Sequence, residues 1–304
     1  MKKICVVGSL NIDLTVCVPR FHAPGETIEG TSFATFTGGK GGNQAIAAAR
    51  LGADVTMIGA LGDDDYGRRY LAVLEKEGVR SAVSLLPGAT TGVALIEVAA
   101  DGDNRIACVP GANRMLDTAL IDARRAAIES AGILMLQMET DLAGAFHAAE
   151  IAHGAGATVL LDPAPARPIR PEWLAFCDYV TPNETELSLL TGMPVRGIDE
   201  AAAAARKLLD LGAKAVLNKR GAQGVLLVTR EGAQLHPGFK VNAVDTTAAG
   251  DSFNGGFAVG LARGDSLESA IRLANAVGAL STTAAGAQAA MPTLAAAEKL
   301  MRGE

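Results

Sequence analysis

The chain has 304 residues, 49% of them hydrophobic and 20% charged, which is enough apolar matter for one large α/β domain, or one domain with an appendage. Its net charge of −6 and its lack of any basic block or basic–aromatic alternation argue against nucleic acid as a partner. No stretch approaches transmembrane length, and the apolar run after Met1-Lys2-Lys3 is too short for a signal peptide, so a soluble, cytoplasmic protein is expected. Cys5, Cys17, Cys108 and Cys177 form no C-x-x-C pair and read as buried, reduced thiols; the four histidines form no H-x-x-x-H pair that would suit zinc.

In chain order, short apolar runs predict strands at Ile4–Val7, Val55–Ala60, Ile133–Leu136, Thr158–Leu161, Tyr179–Thr181, Ala215–Asn218 and Gly224–Val228. Ala-rich runs of helical period predict helices at Asn43–Leu51, Tyr66–Lys76, Thr118–Glu129, Leu142–His153, Glu184–Thr191, Glu200–Leu211, Asp251–Ala262 and Leu267–Thr283. Such alternation implies a mostly parallel sheet wrapped by helices, with ligands beyond the carboxyl ends of the strands. Two regions break the pattern. Residues 13–36 are β-prone without helical period, and Gly92–Ala99, Asp101-Gly102-Asp103 and Arg105–Val109 read as a hairpin. Together they suggest a small separate sheet over one end of the domain, which needs something to pack on, such as a second subunit.

The segment Asp245–Gly256 places Asp251 after Ala248-Ala249-Gly250 and before an apolar helical run, Phe253, Phe257 and Leu261. Bare N–H groups at a helix start form an anion cradle, and the carboxylate at its edge can act as a general base. The same Gly-Asp pair also reads as a turn with an N-cap. Asn11 and Asp13, two residues apart just after the first strand, can hold adjacent sugar hydroxyls or make an Asx turn. Gly38-Gly39-Lys40-Gly41-Gly42-Asn43-Gln44 fits neither a P-loop nor G-x-G-x-x-G, yet its glycines let the backbone approach a ligand, with Asn43 as helix cap and hydroxyl ligand. Glu139 follows the Ile133 strand. Asn183 and Glu186, one helical turn apart, can face a metal–phosphate group or form a capping box. Lys219-Arg220-Gly221-Ala222-Gln223-Gly224 suits a nucleotide phosphate or a hairpin turn. Of the five clusters besides Asp245–Gly256, four follow predicted strands, as the lining of one crevice would.

On these residues the chain resembles the PfkB-type carbohydrate kinases from about Lys3 to Pro292, most specifically at Gly38–Ala45 and Asp245–Gly256. Leu136–Glu139, Asp162–Arg167 and Thr181–Glu186 add to the likeness. The resemblance implies a three-layer α/β/α sandwich spanning 1–304, with lid strands from about 13–36 and 92–109 that also make a homodimer contact. It implies an ATP-dependent kinase acting on the 5-hydroxyl of D-ribose, or on deoxyribose, another small sugar or a nucleoside such as pseudouridine. Asn11, Asp13, Gly39, Lys40, Gly41, Asn43 and Glu139 would contact the sugar, Asp251 would be the base, and Ala248, Ala249 and Gly250 the anion hole. Asn183 and Glu186 would act on the phosphates and Mg²⁺ through water, with Lys219, Arg220, Gly221, Gly224, Gly250 and Asn275 on ATP. A monovalent cation, K⁺ by expectation, would sit at Asp245, Thr247, Ser281, Ala284, Gly286 and Ala290. Four features depart from the family pattern: Lys219-Arg220 replaces Thr-Leu, Asn275 a frequent histidine, Ala289-Ala290 a Pro-Ser-like pair, and Gly42 an alanine that would make the sugar loop stiffer.

Overall fold

A computed structural model describes residues 1–304. Nine strands form the main sheet, in the order Ala233–His236, Val225–Val228, Ala215–Lys219, Tyr179–Val180, Thr158–Asp162, Ile133–Gln137, Ile4–Val7, Val55–Ile58 and Arg80–Ser81. Pairing is parallel from Ala215–Lys219 to Arg80–Ser81, and antiparallel at the other edge. The central strands are mostly apolar because both faces are covered, with polar residues such as Gln137 and Asp162 at their carboxyl ends. Cys5, Val7, Leu134 and Leu136 enter an apolar cluster of 34 buried residues on one face, and Ile4, Val6, Ile133 and Met135 enter one of 33 on the other. Those two layers make the predicted α/β/α sandwich.

Ser32–Gly38, Asn11–Val18, Gly92–Ala99 and Asn104–Val109 form a separate four-stranded sheet in that order. The hairpin falls where its Asp-Gly turn predicts. Asn11 itself starts a strand of this sheet, so Asn11 and Asp13 reach the site from the small sheet and share one of its faces. The other face is apolar and open: Phe33, Leu95 and Val109 on it are exposed, while Phe36 and Ile106 lie on the face of Asn11 and Asp13. Cys108, on the edge strand, is exposed and Cys17 half-buried, which corrects the expectation of four buried thiols; only Cys5 and Cys177 are buried.

Ile4–Val7 pairs with Val55–Ile58 on one side and Ile133–Gln137 on the other, so the chain reverses its direction of travel across the sheet there. A crevice opens beyond the carboxyl ends of strands at such a point. Three helices frame it: α1 (Lys40–Arg50), α2 (Ala249–Arg263) and α3 (Leu267–Ser281). The predicted helix Thr118–Glu129 is broken at Ala123-Arg124, where the Arg124 guanidinium turns to donate to the Ala82 carbonyl at 3.0 Å.

Candidate active site

α1 begins at Lys40, three residues before the sequence reading places it, and Asn43 is therefore inside the helix and not its cap. Gly39 takes the N-cap position at φ 84°, a conformation glycine adopts without strain. Freed from capping, the Asn43 amide donates to Asp251 Oδ2 at 3.0 Å and accepts from Gln288 Nε2 at 3.0 Å. Gly41 packs closely on Gly8 and Ser9, where a Cβ would lie 2.6 Å from backbone atoms, and its N–H donates to Ser9 Oγ at 3.4 Å.

Gly42 does not loosen this loop. A Cβ there would stand 2.0 Å from Tyr70 Oη, and that hydroxyl donates to the Gly38 carbonyl at 2.6 Å and accepts from Gln288 Nε2 at 3.3 Å. Tyr70 fills the space an alanine methyl would occupy and pins the loop from behind. Gly42→Ala is expected to destabilise the fold by about 1–3 kcal/mol through overpacking. Tyr70→Phe in the same chain should recover most of that loss in chemical denaturation. Equal stability of Gly42→Ala and the parent would remove the argument.

Asp251, only 5% exposed, sits in the first turn of α2. Its Oδ1 accepts from Gln44 Nε2 at 3.1 Å, so two amides of α1 aim its carboxylate. Burial pushes the Asp251 carboxyl up to about 6, against the opposing pull of Lys40. Asp13 is pushed up to about 7, first by burial and then by the charges of Glu139 and Asp251. Burial alone would lower Lys40, but Asp251, Asp162, Glu139 and Glu186 together raise it, which keeps it a cation. Glu139 accepts from Ser9 Oγ and from the Lys40 N–H at 3.1 Å, joining the ends of the Ile133 and Ile4 strands. Asn11 Oδ1 accepts from Asn113 Nδ2 at 2.8 Å. Asn11, Asp13, Lys40, Asn43, Glu139 and Asp251 are thus brought into one polar cluster.

Ala248, the one non-glycine residue with positive φ, at 59°, turns the chain into α2. An alanine held there stores roughly 1–2 kcal/mol of strain. The Ala249 N–H is taken by the Thr246 carbonyl at 3.2 Å, which corrects its place among the anion donors, while the N–H groups of Ala248, Gly250 and Asp251 meet no protein acceptor. Ala248, Ala249, Gly250 and Asp251 all line a cavity of about 730 Å³, a volume suited to a nucleotide-sized ligand. Lys40, Asp162, Asn183, Glu186, Lys219, Gly221, Gly224, Gly250 and Asn275 also line it.

Asn183 and Glu186 do form the capping box, exchanging two 2.8 Å hydrogen bonds, and still reach the cavity wall. Burial raises the Glu186 carboxyl, with Lys219 opposing. Arg220 does not reach the cavity. Its buried guanidinium pairs with Glu184 at 2.9 Å and bonds Asn218 and Gln223, so it holds the turn and is not a phosphate ligand. Asn275 uses its amide N–H groups on the His236 and Pro237 carbonyls, which fixes the wall opposite.

Asp245 accepts from Thr247 N–H and Oγ at 2.9 and 2.6 Å and from the Gly286 N–H at 2.9 Å. These bonds hold its carboxyl below the usual range although burial acts the other way. The Ser281 hydroxyl turns away and donates to the Gly278 carbonyl at 2.9 Å. Ala284 and Ala290 make no hydrogen bond to Asp245 or Thr247.

Gln44, Asn113, Asp162 and Gln288 were missed from sequence. Each is a buried polar side chain whose only signal is a polar residue in an apolar run.

A crevice at a sheet reversal, holding an N–H cradle and a buried carboxylate, defines a phosphotransferase of α/β/α architecture. The sequence profile of the pfkB family carbohydrate kinases matches residues 1–294, and the chain belongs to this family. It is 41% identical to a ribokinase of Haemophilus influenzae, over 96% of each chain. To a deoxyribokinase of Salmonella typhi it is 39% identical, again over 96% of each. The structure of Arabidopsis thaliana ribokinase complexed with ribose and ATP superposes with a TM-score of 0.91 at 35% identity, covering 99% of both chains. The chain is a carbohydrate kinase, and no helix in it is long and apolar enough to cross a membrane.

Proposed function

We propose that this kinase transfers the γ-phosphoryl group of ATP to the 5-hydroxyl of D-ribose, giving ribose 5-phosphate and ADP. One observation carries the reading: Asp251 stands where the large cavity meets the polar cluster of Asn11, Asp13, Asn43 and Glu139. An acceptor hydroxyl held by that cluster would lie against a carboxylate aimed by two amides. The ribokinase relative and the ribose-bound neighbour favour ribose as the acceptor. The deoxyribokinase relative, nearly as similar, keeps deoxyribose as the second reading.

Asp251 takes the proton of the hydroxyl as its oxygen attacks in line. The N–H groups of Ala248, Gly250 and Asp251, with the ammonium of Lys40, face the charge that spreads over the transferring group. Asn183, Glu186, Lys219, Gly221, Gly224 and Asn275 hold the nucleotide. Glu186 keeps one carboxylate oxygen free to accept from a magnesium-bound water and Asn183 an amide N–H free to donate to a phosphate oxygen, and the ion would supply charge neutralisation to the phosphates. The small sheet acts as a lid that excludes water as a competing acceptor. Coupled ADP release with ribose, deoxyribose, fructose, adenosine and pseudouridine tests the acceptor. Ribose is expected to give the highest kcat/KM; a clear preference for any other would replace the assignment.

The Asp245 carboxylate, with the Thr247 hydroxyl and nearby carbonyls, offers the hard oxygen donors a monovalent cation takes. Such an ion would add fixed positive field beside the cradle. Exchange of K⁺ for tetramethylammonium should lower kcat, and an unchanged rate would count against the site. The exposed apolar face of the small sheet is where a second copy would pair. Leu95→Asp should then shift sedimentation from dimer to monomer, whereas a parent protein that sediments as a monomer would contradict the pairing.

A further inference from the structure

Lys219 departs from the family pattern and stands in the wall of the nucleotide cavity, in a setting built around it. Its backbone is fixed on both sides, by the Lys219 N–H to Pro182 carbonyl bond at 2.8 Å and by pairing with Val225. Its ammonium donates to Asp162 Oδ1 at 2.9 Å. Asp162 is a residue that the reading above leaves without a role. The Asp162 side chain is 3% exposed and that of Lys219 14%, so the pair is nearly enclosed yet open on the cavity side. The other oxygen of Asp162 accepts from Gln44 Nε2 at 2.9 Å, and that same amide nitrogen donates to Asp251 at 3.1 Å. Gln44 is itself held by Gln137 Nε2 at 2.7 Å.

The ammonium also lies against the cradle. A Cβ on Gly250 would be 3.3 Å from Lys219 Nζ. An ammonium has three donors. One is spent on Asp162, which leaves two on a side chain that lines the same cavity as Gly250, whose N–H has no backbone acceptor.

We propose that Lys219 is a catalytic cation that bonds the transferring γ-phosphoryl group beside the Gly250 N–H, with Asp162 and Gln44 as positioning residues that hold it in register with Asp251. The inference rests on the kinase reading above. Lys40 approaches the phosphoryl group from α1 and Lys219 from the sheet, so two cations flank the charge that develops between donor and acceptor. Asp162 orients Lys219 without consuming its charge for the substrate, because the ammonium keeps donors free. Gln44 ties the donor-side cation and the acceptor-side base to one amide, so neither moves independently.

A simpler role would be neutralisation of a buried carboxylate, and a double variant separates the two. Lys219→Met is expected to lower kcat on the order of 10²-fold, the scale of losing one preorganised transition-state donor. In calorimetry it should weaken ATP binding while leaving ADP and ribose affinity in place. Asp162→Asn combined with Lys219→Met removes the uncompensated carboxylate, and should restore stability but not kcat. Recovery of kcat in the double variant would show that Lys219 serves only Asp162, and equal weakening of ATP and ADP would place it away from the γ-phosphoryl group. Calorimetry reads nucleotide binding without turnover. A parent protein that phosphorylates none of the sugars would therefore refute the kinase reading while leaving the ATP-against-ADP comparison readable.

Discussion

Asp251→Ala is expected to lower kcat by on the order of 10²–10⁴-fold, the contribution of a positioned general base. The side chain is buried and bonded by Asn43 and Gln44, so its loss also leaves two amide donors unpaired. Asp251→Asn serves as the companion, because it keeps the volume while removing the basic oxygen. Both variants should bind ribose and ATP. The same residue sets a pH dependence. A base must be ionised to act, and the free protein holds Asp251 at about 6, so kcat/KM should rise with pH through that value and level off above it. Asp251→Asn should lose that limb. A purified Asp251→Ala protein turning over at the parent rate would remove the residue from the mechanism.

Asp13→Ala is expected to weaken sugar binding far more than ATP binding. Its carboxyl faces Gly38, whose Cβ would meet it at 2.2 Å, and it shares a cluster with Glu139 and Asp251. A sugar bridging these groups would hydrogen-bond at least one oxygen of Asp13, and a hydrogen bond to a charged group carries about 1.5–3 kcal/mol. That corresponds to roughly ten- to hundredfold in affinity. Separate titrations with ribose and with ATP check it. Loss of both to the same degree would point to a disturbed fold instead.

How far the sequence carries depends on whether a feature is local. The parallel strands were legible because a strand buried on both faces reads as a continuous apolar run, as residues 4–7 and 133–136 do. Short or exposed strands escaped: Arg80–Ser81 has two residues, and Ala233–His236 has four, three of them exposed. The last helix, Leu294–Arg302, was also passed over, although Thr293 caps it. Start points moved where glycine allowed it, as at Gly39.

The site divides in the same way. Asp251 and the small residues before it were readable, since an N–H cradle is made by one continuous segment. Which N–H groups stay free was not, because Thr246 claims one of them through a turn. Arg220 and Lys219 are adjacent, with identical sequence credentials, yet their side chains leave the strand on opposite sides, one to Glu184 and one to Asp162. Gln44 and Gln288 act on groups more than two hundred residues away, and no local pattern marks them. Gly42 makes sense only once Tyr70 is seen behind it.

The most direct test of the central claim is phosphorus–proton correlation NMR on the product formed from ATP and D-ribose. The account predicts ADP and a phosphomonoester whose phosphorus couples to both protons on carbon 5. Coupling to the anomeric proton, or inorganic phosphate as the only new phosphorus species, would contradict it.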